Sequence, residues 1–300
     1  MKETQFKHKS RGDKIFTGSC YLIGTLFAVL CIVPLLYLIS GSFSMESQIL
    51  RGNLKIFPIG FNTSAYKTVL SGKQIFSSYG VSIWITLIGT IASLVFSSFF
   101  AYPLSTRRLK YGNIINFIVY FTMIFSGGLV PTFVWYAQGL HLMNTYWVLI
   151  LPSLLIPWNM FLLRNFFAAI PVSLSESARI DGCSEPGILF KIILPCAKPA
   201  LATVGLFYAL GYWNEWYKVM LYNSGDKTKW TLQFLIMKMM NEAATIKNMA
   251  GQGINTATAD FPLTSMKLAT AVCTIGPIVL AYPFAQKYFT SGILVGSVKE

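Results

Sequence analysis

Five stretches of this 300-residue chain contain no Asp, Glu, Lys or Arg: residues 15–45, 74–106, 111–163, 199–214 and 268–286. A run of roughly 18 apolar, uncharged residues is long enough to cross the hydrocarbon core of a bilayer as a helix, and most of these runs exceed that length. Composition agrees, because 54% of the residues are hydrophobic and 12% charged, against about 25% charged in an average soluble domain. A water-soluble surface is excluded.

The run 111–163 is too long for one span, since at about 1.5 Å per residue it would exceed twice the hydrocarbon thickness. It must reverse, and Gln138, Gly139, His141 and Asn144 mark the reversal. The expectation is six spans, near 16–40, 81–104, 113–136, 144–167, 199–222 and 266–288.

Orientation follows from Lys and Arg in short segments beside the spans. Lys2, Lys7, Lys9, Arg11 and Lys14 precede the first span, and Arg107, Arg108 and Lys110 follow the second, so both segments are expected in the cytoplasm. The link 137–143 has no basic residue and is expected outside; six spans then return the C-terminus, with Lys287 and Lys299, to the cytoplasm. The resulting division is a cytoplasmic tail 1–15, a membrane domain 16–290 and a cytoplasmic tail 291–300.

Much of the net charge of +13 sits in these flanks, so topology accounts for it and a nucleic-acid partner is not implied. Cys20, Cys31, Cys183, Cys196 and Cys273 fall in spans or on the inner side, which implies no disulfide framework. No cysteine pair has zinc-finger spacing, so no metal site is expected. The basic stretch followed by about 25 apolar residues reads as a retained first helix, without a small-residue cleavage site.

Two hydrophilic connections, 41–80 and 223–265, remain outside; the first reads as an irregular loop, and 231–244 reads as a short surface helix. Helix disruptors occur at Gly127, Gly128 and Pro131, at Pro152 and Pro157, and at Gly276 and Pro277.

The stretch 171–200 is too polar to enter the membrane, holding Glu176, Arg179, Asp181, Glu185, Lys191 and Lys198. Ser173 or Ser175 is expected to cap a short helix with Glu176 in its first turn. Gly182 is expected to end it. A second, amphipathic segment begins near Pro186, with Ile188, Leu189, Ile192 and Ile193 apolar, and Pro195 is expected to terminate it. Such a protruding elbow fits a groove on a soluble partner.

Glu176, Ser177 and Ala178, followed by Gly182, Ile192, Leu194 and Pro195, resemble the cytoplasmic signature of the membrane-spanning subunits of binding-protein-dependent ABC importers. That signature is E-A-A, three residues, G, nine residues, I, one residue, L-P; Ser177 replaces the first Ala. Asp181, Phe190 and Pro199, the stretch 213–221 and the tail 282–300 look like the carbohydrate-uptake branch, and the tail resembles the maltose-type second permease subunit. The resemblance implies an all-α membrane protein with six transmembrane helices and a cytoplasmic coupling helix, the type I importer permease fold, in the plasma membrane of a prokaryote. It implies a heterodimer with a second homologous permease, two nucleotide-binding ATPase subunits, an extracytoplasmic solute-binding protein and a carbohydrate substrate. Glu176, Ser177, Ala178, Arg179, Asp181, Gly182, Leu194 and Pro195 are the implied ATPase-coupling residues, within a coupling loop 171–198.

The chain has no G-x-x-x-x-G-K-[ST] phosphate loop, and LSGKQ at 70–74 stands in an outer connection without a partner motif. No Ser, His and carboxylate arrangement indicates a hydrolase. The chain is therefore expected to be no enzyme and to carry no cofactor, with ATP and Mg held by the partner ATPase.

Ionisable groups within a span cost about 2.5 to 3.5 kcal/mol each near its centre, and so face protein or water. Glu215 and Lys218 lie three residues apart, on one side of a helix. With Tyr212, Trp213, Asn214 and Trp216 they form a candidate gate or sugar path, because aromatic faces, amides and carboxylates suit sugar rings and hydroxyls. The competing readings are an aromatic belt at the membrane interface, an importer of a non-sugar solute, a secondary transporter and a membrane scaffold.

Overall fold

The computed structural model describes residues 11–106, 108–251 and 263–292. Lys2, Lys7 and Lys9, Arg107, the stretch 252–262 of the second outer connection, and the tail 293–300 with Lys299 lie outside the described residues. The described chain is helical without strands, and it divides into two units: residues 1–71 with 243–273, and residues 72–242 with 274–300.

The first unit carries the Arg11–Ser42 helix, whose apolar side chains, among them Phe16, Leu22 and Phe27, are exposed. The connection that follows, expected to be an irregular loop, instead carries short helices Glu46–Leu50 and Ser64–Ser71. Phe43 stacks on Tyr66 at 4.6 Å, and Ser42 and Tyr66 share a 2.7 Å hydrogen bond. Glu46 accepts from the backbone N–H groups of Thr264 and Ser265, at 2.8 and 2.7 Å, and from the Ser265 hydroxyl at 2.6 Å. A carboxylate thereby satisfies the orphan donors that open the Leu263–Gly292 helix.

Burial raises the Glu46 pKa, but the bonds from Ser265 and Thr264 outweigh it and hold the carboxyl below its ordinary value. The stabilisation is therefore complete at neutral pH and is lost as the pH falls through the lowered pKa. Glu46→Ala is expected to cost about 1 to 2 kcal/mol locally, read as faster hydrogen exchange at the Thr264 and Ser265 amides. Lowering the pH on the unchanged protein should bring the same loss of protection, measured relative to the intrinsic exchange rate at each pH.

The second unit is organised around the Lys73–Ser105 helix, which begins eight residues before the expected second span, at 73 instead of 81. Its buried serines include two pairs four residues apart, Ser78 with Ser82 and Ser93 with Ser97, and Ser93 and Ser97 meet the hydroxyls of Tyr212 and Tyr208 at 2.9 and 2.6 Å. Both tyrosines lie on the Lys198–Trp213 helix, also four apart. Small residues let the helices approach, and the hydroxyls join them. At Gly89 the fit is closest: a Cβ there would lie 2.7 Å from the Tyr212 ring.

Among the described residues, only Gly12–Ser42 and Lys73–Ser105 are, on their own, long and apolar enough to cross a membrane. Three of the expected spans are bent or broken. The third consists of Gly112–Ile124 and Leu129–Gly139, bent by 110° where Gly128 takes a φ of +87° and Pro131 lacks an N–H. In the fourth, Trp147–Ser153 and Pro157–Ala168 meet at 50°. Between them the chain reverses where the sequence places the turn, with His141 and Asn144 at φ +51° and +54°.

The fifth expected span, 199–222, is not one helix. Lys198–Trp213 ends nine residues early and is followed, after an irregular stretch, by the π-helical turn Val219–Asn223. Gly276 and Pro277, by contrast, do not interrupt the Leu263–Gly292 helix. A helix is present where a short surface helix was expected at 231–244, but it is longer, Leu232–Gly251, and its first turns, with Leu232, Phe234 and Ile236, are buried.

Candidate functional site

The polar stretch between the fourth and fifth expected spans folds as an elbow of two helical arms. The first arm is the helix Val172–Ile180. Neither Ser173 nor Ser175 caps it. Pro171 occupies the cap position without a side-chain bond, and Ser175 turns inward to donate to Val172 O at 2.9 Å. Pro171 pre-sets the entry, which moves the helix start upstream and leaves Glu176 beyond the first turn.

The arm ends at Gly182, as expected from sequence, in the left-handed conformation at φ +80°. Gly182 N–H donates to Arg179 O at 3.0 Å and Cys183 N–H to Ala178 O at 2.9 Å. These are the two bonds of a Schellman turn, which satisfies the last carbonyls of a helix.

Ser184 then opens the second arm, accepting from Gly187 N–H, with Pro186 in its first turn. The arm runs from Glu185 to Cys196 through a π-helical turn at Leu189–Ile193, with Ile188, Leu189 and Ile193 buried. Pro195 stands one residue before the arm's end, as expected: the helical run closes at Cys196, and the chain turns by 87° at Ala197 to enter the Lys198–Trp213 helix.

The elbow holds itself together at a single carboxylate. Arg179 of the first arm grips Glu185 of the second through Nε at 2.7 Å and Nη2 at 3.2 Å. Tyr102, near the C-terminal end of the Lys73–Ser105 helix, donates to the same carboxylate at 2.6 Å. The Arg179 guanidinium first, and the Tyr102 hydroxyl next, hold the Glu185 carboxyl below its usual range against the effect of burial. A cleft of about 310 Å³ opens beside this cluster, walled by Phe99, Tyr102, Arg108, Arg179 and Glu185. Arg108 approaches Glu176 at 3.7 Å, with both side chains more than half exposed; such a surface pair contributes little.

Of the expected coupling residues, Glu176, Ser177, Asp181 and Gly182 lie exposed on the first arm and its turn, Ala178 is buried beneath them, and Arg179 faces the second arm. Leu194 and Pro195 lie apart from these, at the far end of the second arm. Glu185, Tyr102 and Ser184 were not singled out from the sequence. Ser184 carried a signal, a cap residue followed by acidic Glu185 and Pro186 at a helix start. Tyr102 carried none.

The second candidate region lies where the fifth expected span breaks. Asn214 caps the helix end through Nδ2 to Leu210 O at 2.9 Å, and the Glu215 carboxylate accepts from Lys218 N–H at 2.9 Å, opening the next turn. Glu215 also forms an ion pair with Lys218, whose ammonium reaches Ser153 at 2.8 Å, beside the break in the fourth span. Thr231 donates to Glu215 O at 2.6 Å. Side chains thus restore the bonds a broken membrane helix loses. Tyr212 and Trp213 are buried within the unit, whereas Asn214 and Trp216 are exposed. Ile156, where the fourth span is interrupted, donates its N–H to the Tyr208 hydroxyl at 3.1 Å.

The family described as the binding-protein-dependent transport system inner membrane component matches residues 93–294. Protein LplC of Bacillus subtilis is 40% identical over 100% of both chains. The polygalacturonan/rhamnogalacturonan transport system permease protein YtcP of the same organism is 39% identical, over 96% of this chain and 99% of its own. Among solved structures, a chain of a bacterial ABC transporter involved in the import of the acidic polysaccharide alginate aligns with a TM-score of 0.80 and 31% identity, covering 94% of this chain and 99% of that one.

Proposed function

Because this chain belongs to the binding-protein-dependent transport system inner membrane components, we propose that its elbow is the handle by which an ATP-hydrolysing partner drives solute across the membrane. The chain is the permease subunit of an ABC importer for carbohydrates, as are its oligosaccharide and polysaccharide permease relatives. It is a transport subunit and not an enzyme.

The observation that carries the handle reading is the form of the elbow. Its first arm is short, stopped by a Schellman turn and braced from behind by Glu185, while Glu176, Asp181, Gly182 and the 87%-exposed Ile180 face outward. A braced helix with an exposed, partly apolar face suits a groove on a soluble protein. Glu176, Ser177, Ala178, Arg179, Asp181 and Gly182 are its coupling residues, and Leu194 and Pro195 shape the bend into the Lys198–Trp213 helix. ATP and Mg belong to the partner, of which two copies serve a heterodimer of this chain with a second permease.

In this reading the chain makes six spans: Gly12–Ser42, Lys73–Ser105, the bent pairs Gly112–Ile124 with Leu129–Gly139 and Trp147–Ser153 with Pro157–Ala168, Lys198–Trp213 with the turn after it, and Leu263–Gly292; both termini lie in the cytoplasm. The membrane domain is 16–290, between cytoplasmic tails 1–15 and 291–300. ATP-driven closure of the partner displaces the handle, the bundle tilts, and access alternates between the two sides. Asn214, Glu215 and Trp216 contribute to the solute path, at the broken helix, with Tyr212 and Trp213 packed behind them.

The test is reconstitution of the assembled transporter with its binding protein, offered a panel of neutral and acidic oligosaccharides. Uptake that requires ATP, and a preference for one sugar class, are expected. Uptake that follows an ion gradient without ATP would contradict the assignment.

A further inference from the structure

We infer that Glu185 is a pin, seated on Tyr102, through which the elbow moves the Lys73–Ser105 helix as well as the Lys198–Trp213 helix. Both are positioning residues for transport, and the inference rests on the elbow being the handle.

Two routes lead from the elbow into the bundle. One is covalent, through Ala197 and the 87° bend into Lys198–Trp213. The other runs through side chains: Arg179 to Glu185, and Glu185 to Tyr102 at 2.6 Å. Beside this polar contact the elbow meets the Lys73–Ser105 helix through apolar side chains, Phe99 edge-on to Phe190 at 5.7 Å and Leu189 and Leu194 facing Leu94 and Val95 across a shallow cleft, and apolar contacts lack the directional grip of a hydrogen bond. The two helices at the ends of these routes are themselves joined by Ser93 to Tyr212 and Ser97 to Tyr208.

The pin therefore closes a triangle. With it, a push on the first arm reaches Glu185 through the bidentate Arg179 contact and displaces both helices together. Without it, the push enters by the covalent route, around the 87° bend at Ala197, and reaches the Lys73–Ser105 helix without a polar link of its own. Arg179 and Tyr102 approach the carboxylate from different elements, and both bonds to it are charge-assisted, which gives them directionality and strength. Arg164 adds a brace to the same helix end, donating Nε–H to Leu104 O at 3.0 Å.

The experiment uses the full transporter in proteoliposomes, with solute uptake and ATP hydrolysis measured in the same vesicles. Tyr102→Phe retains the ring and removes only the hydroxyl; Glu185→Gln retains shape and removes the charge. Each should lower solute moved per ATP hydrolysed by roughly threefold to tenfold, the range between an exposed pair and a charge-assisted bond. Because both act through one bond, the double variant should be no worse than the more severe single one.

A merely structural role would reduce the amount of assembled complex and scale uptake and hydrolysis together. An unchanged ratio in Tyr102→Phe, or effects that multiply in the double variant, would overturn the pin. Should Glu185→Gln fail to assemble, Tyr102→Phe decides alone. Normal uptake by Gly182→Asp would remove the handle itself and the pin with it. A Gly182→Asp variant without transport, beside a wild-type ratio in Tyr102→Phe, would remove the pin only.

Discussion

Gly182→Asp is expected to leave the subunit folded in the membrane while abolishing uptake and solute-stimulated ATP hydrolysis. The left-handed conformation at this position, φ +80°, costs an L residue about 1 to 2 kcal/mol, and aspartate is among the side chains that tolerate it. A Cβ at 182 meets no atom within 4 Å in this chain, so the substitution creates no internal clash. Its effect must then arise from whatever covers the turn, where an added carboxylate brings bulk and an unpaired charge into a protein groove. Gly182→Asn separates the causes, since it shares the backbone tolerance and carries no charge. If both variants transport normally, nothing grips the turn and the handle reading fails.

The second large effect is expected at the broken fifth span. The Glu215 and Lys218 side chains are 12% and 18% exposed and neutralise each other. Removing one partner of such a pair leaves a buried charge and costs about 3 to 5 kcal/mol, whereas replacing both with apolar or neutral groups is often tolerated. Glu215→Gln and Lys218→Met should therefore each depress the amount of assembled transporter, and the double variant should recover most of it. Uptake by the recovered double variant distinguishes the roles of the pair. Low uptake at normal assembly marks it as part of the solute path; full uptake and unchanged selectivity mark it as a staple that holds Ser153 and the two helix breaks together, and end the gate proposal.

The elbow shows how much of a site can be read from local rules. Gly182 was legible because a helix stop needs a residue that accepts positive φ, and that requirement is written at one position. The buried face of the second arm was legible from the spacing of Ile188, Leu189 and Ile193. Pro195 was legible as the end of the second arm, which closes one residue later, at Cys196. Ser173 and Ser175 misled, since several cap residues stood close together and the proline before them set the start.

The membrane bundle divides along the same line. Length of charge-free sequence determined that the chain crosses a bilayer, and the polar patch near His141 determined where it turns back. The break at 125–128 carries a local signal, Gly128 at φ +87°, whereas those at 154–156 and 214–216 find partners distant in sequence: Tyr208 for the N–H of Ile156, Ser153 and Thr231 for the Glu215 turn. Gly276 and Pro277 carry the same local signal as the breaking residues, yet the helix there continues.

The chain by itself determined a helical membrane protein with one polar elbow, because apolar length and backbone conformational preference are properties of contiguous residues. Tertiary structure alone decided that Tyr102, Arg179 and Glu185 meet, since a hydrogen bond across 83 positions exists only once the intervening helices have packed.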